Sequence, residues 1–164
     1  MGKSTIEMDE IDRRILEHLQ EDAGLSGAEL AKRVGLSPSP CWRRVQRLEA
    51  TGVLQRRVAL LDPESLGLGV VVFASVKLSA HGRSALPRFE AAIADVPEVV
   101  ECYTVSGGVD YLLRIVTEDI HSYELFLRDR LLQLPEVAEV HSRIAITRVK
   151  HTTALPLGHF DRAE

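Results

Sequence analysis

The chain has 164 residues, 45% of them hydrophobic and 27% charged, with a net charge of −4, which suits a soluble globular protein of one or two cored domains. Its most apolar run, Gly67 to Ala74, is too short for a bilayer crossing of about 20 residues, and Met1-Gly2-Lys3-Ser4-Thr5 lacks the apolar core of a secretory signal. Cys41 and Cys102 lie far apart and form neither a disulfide framework nor a zinc motif, so a cytoplasmic protein without metal or cofactor is predicted, its cysteines acting as small buried hydrophobes.

Asp9 is placed to cap a first helix in which Met8, Ile11, Ile15 and Leu19 recur at helical spacing, with His18 at the edge of the stripe. Ser26-Gly27-Ala28-Glu29 is a capping box that starts a second helix. Leu30 and Val34 share its inner face, and Gly35 can take the left-handed turn that ends it. Ser37-Pro38-Ser39-Pro40 opens a third helix, with two possible N-caps and prolines where first-turn N–H groups have no partner. There Cys41, Val45 and Leu48 form a core stripe, and the opposite face carries Ser39, Arg43, Gln46 and Arg47.

Arginine can donate two parallel hydrogen bonds to a guanine edge, and glutamine can do the same for adenine. Two short helices joined by a tight turn, with such readers on the second, make a helix-turn-helix. From Lys32 to Arg57 seven basic residues face one acid, Glu49. Residues 1–62 balance ten basic against ten acidic, so the remainder, with ten against fourteen, carries the whole acidic excess. A polyanion would therefore meet its positive patch in the first part of the chain. The predicted double-stranded DNA contacts are Ser37, Ser39, Arg43, Arg44, Gln46 and Arg47, with Arg56 and Arg57 beyond them.

Val53 to Leu61 reads as a strand leaving this head, its arginines placed to touch phosphate. Pro63 to Gly69 reads as a linker with Leu66 as a small anchor. Val70 to Leu78 is the apolar run of a buried strand. Leu86, Phe89 and Ile93 place a helix over Ser84 to Asp95, stopped by Pro97. Val99 to Val105 and Asp110 to Val116 form a hairpin about Gly107-Gly108. Asp119 to Leu134 is helical, with Tyr123, Phe126, Leu127 and Leu131 inward, and Val137 to Val149 is the last strand. This βαββαβ order is the ferredoxin-like sandwich, an antiparallel sheet with both helices on one face. Apolar residues on the bare face predict pairing of two subunits, sheet to sheet.

Taken alone, Ser106-Gly107-Gly108 and Asp110 read as a plain hairpin turn with Asp110 bonded locally. Catalysis is not indicated, since His81, His121, His141, His151 and His159 form no H-x-x-H or HExxH cluster, and neither a phosphate loop nor a G-x-S-x-G turn is present.

Several motifs in order are similar to those of the Lrp/AsnC, or feast/famine, family of transcription regulators. They are Met8 to Leu16, Leu30 to Ser37, Cys41 to Glu49, Gly52-Val53-Leu54, Val105 to Leu113 and Leu134 to Val137. The resemblance runs from about residue 8 to 150 and implies an α+β protein. A winged helix-turn-helix domain (1–61) and a linker (62–69) would precede a ferredoxin-like RAM/ACT-like domain (70–164) that binds an effector and drives assembly. It implies a nucleoid-associated regulator of amino-acid metabolism or transport that binds an amino acid between subunits near Ser106, Gly107, Gly108, Asp110 and Tyr111. Asp110 would then accept from the ligand's ammonium, N–H groups around Ser106-Gly107-Gly108 would donate to its carboxylate, and Arg143 and Thr147 on the last strand would line the pocket from a neighbouring subunit. Dimers would assemble to octamers; the alternative is a DNA-wrapping scaffold with little effector dependence. Arg56-Arg57 stands where Gly-Tyr is frequent in the family, and Arg143 stands where an aromatic or apolar residue is frequent.

Overall fold

The computed structural model describes residues 7–79 and 85–158. They divide into two compact units. One holds the described residues up to Leu60 together with those from Lys150 onward, and the other is Leu61–Val149.

The first unit contains α1 (Glu10–Glu21), α2 (Gly27–Val34) and α3 (Pro38–Ala50). Each start follows local chemistry. Asp9 and Asp12 form a capping box on α1. On α2 the Ser26 hydroxyl accepts the Glu29 N–H at 3.3 Å while the Glu29 carboxylate accepts the Ser26 N–H at 2.9 Å. Ser37 is the N-cap of α3 but makes no side-chain cap bond, so the proline at the first helical positions carries that start. Gly35 ends α2 at φ 74°, a left-handed conformation that costs a glycine nothing. Ile15, Leu19, Leu30, Val34, Val45 and Leu48 close the core of this head.

Beyond α3 the expected strand does not form. Leu54 N–H returns to Leu48 C=O at 3.0 Å and Val53 and Leu54 pack on the head, but residues 55–61 run without regular structure and leave Val58, Leu60 and Leu61 exposed. Branched residues favour a strand only where a partner strand offers its hydrogen bonds. The C-terminal segment belongs to this same unit rather than to the second domain: Leu157 packs on the head core. Leu155 N–H donates to Gln20 Oε1 at 2.6 Å, and its C=O accepts from Gln20 Nε2 at 3.3 Å.

The second unit contains β1 (Val70–Leu78), α4 (Ala85–Ala94), β2 (Val99–Thr104), β3 (Tyr111–Thr117), α5 (Ile120–Asp129) and β4 (Val137–Ile144). The sheet order is β2-β3-β1-β4, antiparallel throughout, which is the ferredoxin-like arrangement. Val72, Val76, Leu113 and Ile115 meet Phe89, Ile93 and Phe126 of the two helices in one core. The linker forms a 3₁₀ turn at Glu64–Leu66, and Leu66 is exposed rather than an anchor. Ser84, the expected start of α4, lies outside the described residues, as do His81 and His159. β4 stops at Ile144, and Ile146 and Val149 beyond it are almost fully exposed. Among the described residues no helix is long and apolar enough to cross a membrane and no cluster of ligating side chains could hold a metal.

Candidate DNA-reading surface and effector turn

The buried stripe Cys41, Val45 and Leu48 fixes the roll of α3 and turns the opposite side to solvent. Ser37, Ser39, Arg43 and Gln46 are all exposed there. Gln46 donates to Glu49 at 2.9 Å, whereas Arg43 has no ionic or hydrogen-bond partner among the described residues. Arg43 is therefore the cation on this helix most available to a duplex. Arg56 and Arg57 are also exposed, Arg57 lying 3.5 Å from Glu49.

Two of the expected readers are held from within the head. Arg44 Nη1 reaches Asp9 at 2.7 Å and Asp12 at 2.8 Å, so it braces α3 against α1 and is withdrawn from the reading set. Arg47 bonds the same Asp12 while remaining 48% exposed. Asp12 is fully buried between them. Burial raises the Asp9 carboxyl, but the Asp12 N–H and the Arg44 guanidinium outweigh this and hold it below the usual range. Sequence reading gave Asp9 only as a helix cap and Asp12 no role, although Asp12 carries a signal: it stands beside the apolar stripe of α1, where a carboxylate must find a cation.

In the second unit the turn is closed by Val105 N–H donating to Asp110 C=O at 3.0 Å. Gly107 adopts φ 124°, which an L side chain rarely takes. The Asp110 carboxylate accepts the Leu78 N–H at 2.8 Å, pinning the turn to the end of β1. Ser106, Gly107 and Gly108 are exposed beside it. Tyr111 does not share this surface. It is buried toward the helices, 4.6 Å from the Phe89 ring by centroid, and its hydroxyl donates to Glu90 at 2.8 Å. Burial and then that carboxylate push its pKa up to about 12. Tyr111 and Glu90 border a cleft of about 310 Å³ between α4 and β2. Glu90, which sequence reading missed, gave no signal in a helix with many exposed polar positions.

Arg143 and Thr147 are not brought to the turn within one protomer. Arg143 pairs in register with Phe73 on the bare face, donating to Ser75 Oγ at 3.3 Å. Thr147 lies past Ala145, whose N–H bonds Val71, at the far end of β1 from the Asp110 turn. The bare face itself presents Val71, Phe73, Leu112, Val116 and Tyr103, with Arg114 and Arg143 in register with Phe73 on either side and the pairs Arg114–Glu101 at 2.7 Å and Lys77–Glu139 at 3.8 Å. Cys41 is buried in the head, while Cys102 is exposed in β2 rather than buried.

Both halves match known families. Residues 8–55 match the winged helix-turn-helix DNA-binding family and residues 71–155 match the Lrp/AsnC ligand binding domain. The chain is 39% identical to the DNA-binding transcriptional activator DecR of Escherichia coli, over 92% of this chain and 99% of the other. A transcriptional regulator of Neisseria meningitidis, crystallised with L-methionine, superposes with a TM-score of 0.90 at 39% identity, covering 93% of this chain and 99% of its own. An AsnC family transcriptional regulator of Agrobacterium tumefaciens superposes with a TM-score of 0.89 at 48% identity over the same shares of the two chains.

Proposed function

Because this chain belongs to the Lrp/AsnC family of DNA-binding transcriptional regulators, we propose that α3 reads operator DNA and that an amino acid bound at a subunit interface biases that binding. The protein is a regulator of genes of amino-acid metabolism or transport and not an enzyme. The observation that carries the reading is Arg43, exposed and unengaged opposite the core stripe of a helix-turn-helix. Ser37, Ser39 and Gln46 extend the reading set, and Arg56 and Arg57 supply phosphate contacts. A scaffold wrapping DNA with little preference would need only positive charge, whereas this face combines Arg43 with Ser39 and Gln46, which have base-edge geometry. The test is genome-wide mapping of bound DNA with and without each of the twenty amino acids. Occupancy that follows no sequence and no amino acid would favour the scaffold.

The effector reading rests on the exposed Ser106-Gly107-Gly108 backbone next to Asp110, with the L-methionine complex of the Neisseria relative as support for an amino acid as the class. Arg143 and Thr147 join only if a second subunit supplies them, which makes the site a property of the assembly. Asp110→Asn keeps an acceptor for Leu78 N–H while removing the charge that would hold an ammonium. It is expected to leave thermal stability and effector-free DNA binding in place and to abolish the amino-acid heat in calorimetry. An undiminished heat would take the Asp110 charge out of the site.

The subunits pair through the bare sheet face, and dimers assemble further, toward octamers, in the cytoplasm at the nucleoid. Val71, Phe73, Leu112, Val116 and Tyr103 make one exposed face with Arg114 and Arg143 set among them, and a two-fold axis can pair such a face with its own copy. Phe73→Lys sets a third cation beside Arg114 and Arg143 and places the same charge from each subunit against the other across that interface. Light scattering is expected to show the variant as a folded monomer where the parent chain is at least a dimer. An unchanged mass would move the interface elsewhere.

A further inference from the structure

Trp42 is 62% exposed and is the chain's single tryptophan. It follows Cys41, which is buried, yet it stands about a quarter turn off the core stripe. At about 100° per residue it sits on one flank of α3 with Gln46 one turn further on, while Arg44 lies on the other flank. The two flanks differ in kind. Arg44 and Arg47 are drawn to Asp9 and Asp12 of α1, so that side is closed by ionic contacts. On the Trp42 side Glu49 accepts from Gln46 and pairs with Arg57, yet the indole, the largest apolar group on the reading surface, stays exposed.

On this basis, and on the reading of α3 as the DNA-contacting helix, we propose that Trp42 is a specificity-determining residue. Its indole packs on thymine C5-methyl groups and adjoining sugar edges in the major groove, beside the guanine or adenine edges taken by Arg43 and Gln46. Three observations favour DNA over a protein partner. Trp42 adjoins Arg43, inside the stretch where seven basic residues face one acid. It lies in the N-terminal half of α3, the part of a recognition helix that meets base edges. Apolar contact with a thymine methyl is also a direct form of base reading, because that group marks its base pair in the major groove. An indole in water gains by covering its face, and a methyl-lined groove wall supplies that cover without asking for a hydrogen bond.

The experiment uses the full chain and a fluorescently labelled duplex that the protein selects from a random-sequence pool. Binding is followed by anisotropy of the label, and the exposure of Trp42 by acrylamide quenching of its own emission. The expected result is a fall of severalfold in the quenching constant when the duplex saturates the protein. Thymines in the duplex are then replaced singly by uracil, which removes only the methyl. At one or more positions this is expected to weaken the parent protein by about fivefold or more, the scale of one lost base contact. Trp42→Ala should be insensitive to the same replacement, and Trp42→Phe should keep part of the response. Bound duplex with an equally quenchable Trp42, or uracil effects identical in parent and Trp42→Ala, would overturn the inference. No binding by any duplex would overturn the regulator reading as well.

Discussion

Asp12→Ala is expected to destabilise the helix-turn-helix unit by about 2–3 kcal/mol, on the scale of a lost charged hydrogen-bond pair plus part of a helix cap. Asp12 is buried, accepts from both Arg44 and Arg47, and closes the capping box with Asp9. Removing one member of a fully buried ion pair costs about 3–5 kcal/mol. The figure here is lower because Arg44 and Arg47 are 28% and 48% exposed and regain water when the acid is gone. The emission of Trp42, which lies in this unit, reports its unfolding in urea apart from that of the sandwich. A midpoint unchanged from the parent would mean that the tie contributes nothing. Acid should act on the same contact. Asp9 is held below its ordinary range, so its contribution is complete above the unfolded value of about 3.9 and fades as pH falls through the lower folded value.

Arg43→Ala should cost about 1–3 kcal/mol in binding a selected duplex, roughly 5- to 150-fold, and relax the preference for one base position. The arginine is exposed and has no partner to lose among the described residues, so fold stability should not move. Arg57→Ala is the contrasting case. Its side chain pairs only loosely with Glu49, at 3.5 Å, and losing a phosphate contact there would weaken binding to all duplexes alike, lowering the slope of log affinity against log salt by about 1. Equal losses on selected and random duplexes for both variants would make Arg43 a phosphate contact rather than a base reader.

The sequence revealed most where the determinant was local. The cap at Asp9, the capping box at Ser26, the left-handed Gly35 and the apolar run of β1, broken only by Ser75 and Lys77, depend on neighbours a few residues away, and each appears where its spacing predicts. Failures came where the determinant was distant. Val53 to Leu61 has strand composition, but among the described residues no strand pairs with it. Arg44 lies on a charged helix like its neighbours, and helical spacing cannot say that a carboxylate on α1 will draw it in. Tyr111 adjoins the effector turn in sequence, yet strand alternation turns it to the opposite side, against Phe89 and Glu90. Leu155 and Leu157 have no periodicity to mark them, and only their contacts with Gln20 and the head core reveal where they belong.

That tail sets an order of events during synthesis. A chain emerging from the ribosome folds its units as they are completed, and every strand and helix of the sandwich leaves the tunnel before Leu155 and Leu157 do. The DNA-reading unit is thus begun before the sandwich and completed after it. A translation product halted just after the final strand would carry a whole sandwich and a head still missing the piece that latches onto Gln20.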